Sequence, residues 1–313
     1  MRILVTGATG QVGGALLKLL RPAVPVIATG RSELDLAQPA EIGAALDRIA
    51  PSMIINPAAY TAVDRAEDER ELAFRINAEA PGAIARWAAA RDVPLIHFST
   101  DYVFEGMSRR PWRENDPTNP LSVYGASKLA GEDAVRSAGG PHLIIRTSWV
   151  YAAQGANFLR TIARLAKERR ELRIVADQCG APTPARLIAD AVAAMLRQHP
   201  TALTERFAAC GSVVNIAASG ETTWHGFAAA IVGGLKARRV PLTVESIEPI
   251  ATVDYPTKAQ RPANSRFDLT RLHQVFGITT PDWRVALEPE LDLLAGELLG
   301  HRASPNMGAS PSS

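Results

Sequence analysis

Cysteine is almost absent from this sequence: Cys179 and Cys210 are the only two in 313 residues. Two thiols cannot staple a fold together, so a disulfide scaffold is excluded and a reducing cytoplasm is the natural setting. Both read as small, partly buried apolar residues. Long apolar runs are missing too. No stretch reaches the roughly 20 residues that span a bilayer. The run Ile3-Leu4-Val5 meets Gly7 too soon to serve as a signal peptide. Basic clusters interleaved with aromatics are also lacking. Lys+Arg 34 against Asp+Glu 32 leave a scattered formal charge of +2, which argues against a nucleic-acid partner. The chain that remains is 47% hydrophobic and 21% charged, the balance of a globular enzyme or binding protein large enough for a substantial core.

The order of apolar runs and glycines carries the first positive signal. Arg2 to Thr6 reads as a short strand, TGATGQVG follows at once, and GALLKLL begins a helix. Glycines at 7, 10 and 13 between a strand and a helix make an anion site, because unpaired amides and the helix dipole face the ligand. Gly7 allows the turn, Gly10 the approach of a pyrophosphate, and Gly13 close packing of helix on sheet. A second strand, Val24 to Thr29, ends in Gly30-Arg31. NAD-selective sites place an acid near this point to hold the ribose 2′-hydroxyl. Arg31 stands there instead, which leans toward a 2′-phosphate and NADPH, although it is equally a plain surface arginine. A helix from Pro39 closes before Pro51. The third strand, Met53 to Asn56, ends in Pro57-Ala58-Ala59-Tyr60-Thr61, small residues that let a flat cofactor lie against backbone. Helical sequence from Asp64 to Ala90 is expected to break at Pro81.

A second signature lies in HFSTDYVFEG and YGASKLAGEDA. The strand Pro94 to Phe98 delivers Ser99, Thr100 and Asp101 to its carboxyl end, and a helix begins near Ser122. Tyr124 and Lys128, at i and i+4, then share a helix face. A phenol of pKa about 10 is poorly matched as an acid or base at neutral pH. A neighbouring ammonium favours phenolate and brings that pKa toward working pH. Thr100 adds a hydroxyl that would hold a carbonyl oxygen against Tyr124. Alone the Tyr-Lys pair is weak, since composition produces it in roughly one such chain in five; the preceding hydroxyl-bearing strand and the glycine turn give it weight.

Past the strand His142 to Thr147 the alternation loosens. The pattern predicts a helix from Asn157 to Glu171, a strand Arg173 to Val175, a loop Asp177 to Pro184 and a helix Ala185 to Gln198. A strand Val213 to Ile216 returns to the sheet, Thr223 caps a helix Trp224 to Ala237, and a strand runs Leu242 to Ile247. Helices Thr270 to Phe276 and Trp283 to Leu299 close the chain. From residue 301 onward the sequence is Ser, Pro and Gly rich, so 301–313 is expected to be a disordered tail. The fold class is α/β, a Rossmann-type doubly wound parallel sheet with a smaller mixed α/β substrate-binding domain. Residues 1–148, with a return segment about 185–218, form the NAD(P)-binding part; 149–184 and 219–300 form the substrate part. Ligands of such sheets sit at the carboxyl ends of strands, which collects Gly7 to Gly13, Arg31, Ala58 to Thr61, Thr100 and Trp149 along one edge.

TGATGQVG, NPAAYTAVDRAE, STDYVFEG, YGASK, RTSWVY, DQCGAPT and RPANSRFD occur in this order. Together they resemble the dTDP-4-dehydrorhamnose reductases of the extended short-chain dehydrogenase/reductase superfamily. The resemblance implies reduction of the 4-keto group of dTDP-4-dehydro-β-L-rhamnose by NADPH or NADH to dTDP-L-rhamnose. It implies Tyr124 as proton donor, Lys128 on the nicotinamide ribose and Thr100 orienting the carbonyl. Gly7, Gly10, Gln11 and Val12 would line the pyrophosphate, Asp35 and Leu36 the adenine side, and Ala58, Ala59 and Thr61 the cofactor channel. Val63, Asp101 and Trp149 match positions beside the sugar, and Arg261 is set between the substrate diphosphate and a plain surface salt bridge. Some relatives bridge two subunits with magnesium through a glutamate after the glycine turn. Gly13-Gly14-Ala15 offers no such oxygen, so no metal site and a monomer or weak homodimer are expected. Sugar-nucleotide epimerases and dehydratases share the glycine turn and YGASK. A dehydratase, however, needs a glutamate after the acid, where Tyr102 stands here. A non-catalytic NADP-binding regulatory subunit is the non-enzyme alternative, against which the intact Thr100, Tyr124 and Lys128 argue.

Overall fold

Six short apolar strands account for the centre of the molecule, and the computed structural model of the chain describes residues 2–198 and 202–300. They are β1 (Ile3–Val5), β2 (Val26–Ala28), β3 (Met53–Asn56), β4 (Leu95–Thr100), β5 (His142–Thr147) and β6 (Val213–Asn215). All pair in parallel, in the spatial order β6-β5-β4-β3-β1-β2. The chain leaves β1 for β2 on one side and β3 on the other, so the crevice of the doubly wound sheet opens there. Because helices cover both faces, β1, β3 and β4 are buried throughout. Alternation sorts their side chains. Ile3, Val5, Met53, Ile55, Ile96 and Phe98 enter one core, while Leu4, Ile54, Leu95 and Ile144 enter the other. The first core continues without a gap into the second half of the chain, through Phe227, Ile231, Leu272, Trp283 and Leu287.

Several expected elements coincide with those observed: Met53–Asn56, His142–Thr147, Ala185–Gln198, Trp224–Ala237 and Thr270–Phe276. Three do not. Pro81 does not break its helix; Arg70–Phe74 runs through a π-turn at Arg75–Glu79 into Ala80–Ala89. Proline has no N–H to give back to the preceding turn, and the wider π-turn absorbs that loss. The real interruption falls at 67–69, after the short helix Val63–Ala66. Glu171, expected to end a helix, begins a strand. The helix Phe158–Glu168 stops at an extended Arg169, and Glu171–Val175 pairs in parallel with Ser246–Ile250. The run 242–245 is therefore not strand: Thr243 and Val244 both donate their amides to the Ala166 carbonyl and cap that helix instead. A helix at Leu203–Ala209 went unforeseen. The tail expected at 301–313 lies outside the described residues. Among those described, no helix is long and apolar enough to cross a membrane.

Candidate active site

The glycine turn follows β1 directly. Gly7 has φ +57, and a Cβ there would meet Ala58 Cα at 2.9 Å; one on Gly13 would lie 2.2 Å from the Gly7 carbonyl oxygen. Only glycine fits either place. Gly10, at the N-cap of Gln11–Leu20, supplies no side-chain hydrogen bond, so the first amides of the helix have no side-chain cap. Uncapped amides, a left-handed glycine and a cradle that a Cβ would fill suit the diphosphate of a dinucleotide. Thr6 closes the floor, its Oγ1 donating to Asn56 Oδ1 at 2.6 Å and accepting from Ala58 N at 3.3 Å. Gln11 is tied to the second half by Asn157 Nδ2 at 3.1 Å, and Val12 is half-buried against the core. Arg31 is exposed just past β2. Asp35 turns back on the Ala37 amide at 2.9 Å, while Leu36 is mostly core, 8% exposed. Beyond β3, Ala58 and Ala59 are half-buried and Thr61 is exposed.

That β3 loop is shaped by a residue that sequence reasoning missed. Asn77, fully buried in the π-turn, accepts from Tyr60 N at 2.8 Å and donates to Tyr60 O and Ser127 Oγ, both at 3.0 Å. A lone amide on an otherwise apolar helical face was the available signal.

The second signature assembles at the end of β4. Ser122 Oγ caps the helix Val123–Ser137 by accepting from Gly125 N at 3.1 Å. A Cβ on Gly125 would lie 2.2 Å from the Tyr102 carbonyl oxygen, so glycine lets the helix start directly against the strand end. Tyr124 is thereby brought beside Thr100. Lys128, 2% exposed, donates to the Phe98 carbonyl at 2.7 Å. Contrary to the expected tuning, the ammonium makes no contribution to the phenol's pKa. Burial raises the Tyr124 pKa above the ordinary value, with Asp101 and Tyr102 adding to the rise and only the neighbouring Thr100 opposing it. Burial also lowers Lys128 to about 8, against a raising pull from Glu132 one turn on. The i, i+4 spacing put both groups on one face; it did not fix where the ammonium points.

Tyr102 is a second miss. Its ring meets that of Tyr124 edge-on, 5.4 Å between centroids at 77°. Burial, and then Asp101, push its phenol up to about 12, while Arg261 pulls the other way. Arg261 itself pairs with Asp64 at 2.6 Å, yet its Nη1 is buried without a hydrogen bond. The surface bridge thus accounts for one nitrogen, while the guanidinium also faces the Tyr102 phenol. Val63 begins the short helix that carries Asp64. Asp101 is 2% exposed and raised to about 6 by burial, against hydrogen bonds from Ser265 and Thr100. Trp149, past β5, is held at φ +48, strained for a bulky residue, and stacks on Trp224 at 3.6 Å. Trp224 donates in turn to Gln178 at 3.1 Å. Among the described residues no group of three or more His, Cys, Asp or Glu is placed to hold a metal ion.

Comparison with known proteins puts these parts in a family. The family described as "RmlD substrate binding domain" matches residues 1–295. A dTDP-4-dehydrorhamnose reductase of Burkholderia thailandensis is 48% identical over 293 residues, covering 92% of this chain and 97% of that protein. The crystal structure of a dTDP-4-dehydrorhamnose reductase from Clostridium acetobutylicum superposes with a TM-score of 0.85 at 33% identity, over 94% of this chain and 99% of that one. That of the Bacillus anthracis reductase, in complex with NADP, gives 0.84 at 32% identity over 93% and 98%. With nearly the whole length aligned in both comparisons, the chain belongs to the dTDP-4-dehydrorhamnose reductase family.

Proposed function

We propose that this chain reduces the 4-keto group of dTDP-4-dehydro-β-L-rhamnose with NADPH, forming dTDP-L-rhamnose. The observation that carries the reading is the seating of Tyr124 beside Thr100 at the carboxyl end of β4, on the same sheet edge as the uncapped glycine turn. Relatives named for this reaction support it.

The amides of Gly10, Gln11 and Val12, with Gly7, would hold the cofactor diphosphate; Ala58, Ala59 and Thr61 would flank the nicotinamide side, and Arg31, Asp35 and Leu36 the adenosine side. Bound NADPH supplies the hydride. Tyr124 keeps its proton at every working pH, because burial raises its pKa, and gives it to the carbonyl oxygen as negative charge develops there. Thr100 orients that oxygen and lends a hydrogen bond to the growing alkoxide. Lys128, buried at the same strand end, would hold the ribose. Val63, Asp101, Trp149 and Arg261 would line the sugar-nucleotide side. We assign 1–148 and 185–218 to the cofactor half and 149–184 and 219–300 to the substrate half, in a cytoplasmic protein that is monomeric or weakly dimeric.

The test is NADPH oxidation by the purified chain with a panel of keto-sugar nucleotides. Consumption is expected only with the 4-keto substrate. Tyr124→Phe should lose about 100-fold or more in kcat while its NADPH affinity, measured by titration, stays unchanged; a Phe variant with parental turnover removes Tyr124 from the acid role.

A further inference from the structure

A buried carboxyl beside the reacting groups is answered by two hydroxyls and its own backbone amide, with no cation. Asp101 Oδ1 accepts from Thr100 Oγ1 at 3.0 Å, and Oδ2 accepts from Ser265 Oγ at 2.5 Å. Both Asp101 and Ser265 are 2% exposed. No Lys, Arg or His among the described residues forms an ion pair with this carboxyl. Two hydroxyls without a cation are a poor answer to a buried anion and a good one to a neutral acid. Ser265 is fixed independently of that carboxyl. Its amide donates to Cys179 O at 2.7 Å, and the neighbouring Asn264 amide donates to Gly106 O at 2.8 Å. Trp112 Nε1 donates to Asn264 O at 3.0 Å. Pro262 packs on Gly106 so closely that a Cβ there would lie 2.4 Å from the proline Cβ. Two stretches distant in sequence, the loop 106–112 and Cys179, therefore clamp the segment that presents this hydroxyl.

We propose that Ser265 is a positioning residue for the reduction: by donating to Oδ2 of Asp101 it assigns the acid proton to Oδ1, and so turns the Thr100 hydroxyl toward the substrate oxygen. The proposal rests on the reductase reading. Thr100 has one proton. An ionised Asp101 takes it at Oδ1, away from the carbonyl; a neutral Asp101 with its proton on Oδ1 donates to Thr100 instead, and the Thr100 proton is free to meet the alkoxide. A proton on Oδ2 would leave Oδ1 an acceptor and undo this. Burial already lifts the carboxyl to about 6, and two diphosphates in the cleft add negative charge that favours the neutral form further. Of the titratable groups around it, Tyr124 from the helix and Tyr102 from the strand end both feel Asp101, and Arg261 and Asp64 face Tyr102 from beyond. Only hydrogen-bond directions change, and no atom is gained or lost.

The experiment pairs carboxyl carbon NMR of the unliganded full chain with kcat against pH for the NADPH reaction. Asp101 is expected to titrate near 6 in the parent and higher in S265A, because a hydrogen bond to the charged form has gone. S265A should lower kcat about tenfold with the KM for NADPH unchanged, and S265T should restore both readouts. In the parent kcat falls as pH rises through the Asp101 pKa; S265A moves that limb upward and D101N removes it. An S265A chain with parental kcat and parental Asp101 titration overturns the proposal, as does a limb that survives D101N. A parent that never consumes NADPH overturns the reductase reading, which the NMR titration does not depend on; an active enzyme whose Asp101 titration ignores Ser265 overturns the positioning claim alone.

Discussion

At the scale of single residues, the site is a set of polar groups shut away from water. Asp101 shows the cost. A carboxyl with a pKa of about 6 in the fold and about 4 in the unfolded chain destabilises the fold above pH 6, and that cost fades as pH falls toward 4. Asp101→Asn should therefore be more stable than the parent at pH 8, by about 2–3 kcal/mol at most, and the gap should close by pH 4. Urea melts at the two pH values measure it, and a gap independent of pH would place the ionisation elsewhere. Arg31 is the other residue with a sharp outcome. It stands exposed at the end of β2, where a 2′-phosphate would be within its charge. Arg31→Ala should raise the KM for NADPH several-fold more than that for NADH; equal changes would set it outside the pocket.

At the scale of elements, what the sequence disclosed follows from where its signals are local. The turn at Gly7 to Gly13, the cap at Ser122 and the i, i+4 pair Tyr124 and Lys128 each lie within one strand–helix junction, where spacing determines geometry. Partners brought in from a distance left no such trace. Ser265 meets Asp101 across 164 positions, and nothing in RPANSRFD marks which side chain turns inward. Tyr102 was weighed only as the glutamate it is not. Lys128 lies on the expected helix, and its ammonium donates to the Phe98 carbonyl, a partner that spacing along the helix does not reveal. Pro81 misled for a related reason: a π-turn is a tertiary accommodation, here holding Asn77 against the β3 loop. The same helix carries a buried ion pair beneath the site. Glu132, on the Tyr124 and Lys128 face, is held in two hydrogen bonds, 2.8 and 2.7 Å, by Arg146 of β5. Both side chains are at most 2% exposed. Arg146→Met leaves the carboxylate with only the half-exposed Arg136, and should cost about 3–5 kcal/mol in a denaturant melt. A loss under about 1 kcal/mol would show that Glu132 finds other compensation.

At the scale of the whole molecule, the sheet edge is closed by chain from the far end of the sequence. Arg261 and the Ala259 amide bind the two oxygens of Asp64, Lys258 reaches Asp68, and Ser265 reaches Asp101. One core cluster runs from β1 into the helix Trp283–Leu298, so the surfaces that would take cofactor and sugar nucleotide are carried on continuous packing. On the proposed function, this arrangement delivers a hydride to the sugar C4 and a proton from Tyr124 to its oxygen. Deuterium tracing tests it most directly: the chain is supplied with NADPH deuterated at the nicotinamide C4, in each epimer, together with the 4-keto sugar nucleotide. Product NMR is predicted to show deuterium at sugar C4 from one epimer only, with stoichiometric loss of NADPH. Label at another carbon, or product formed with no net consumption of NADPH, would contradict it.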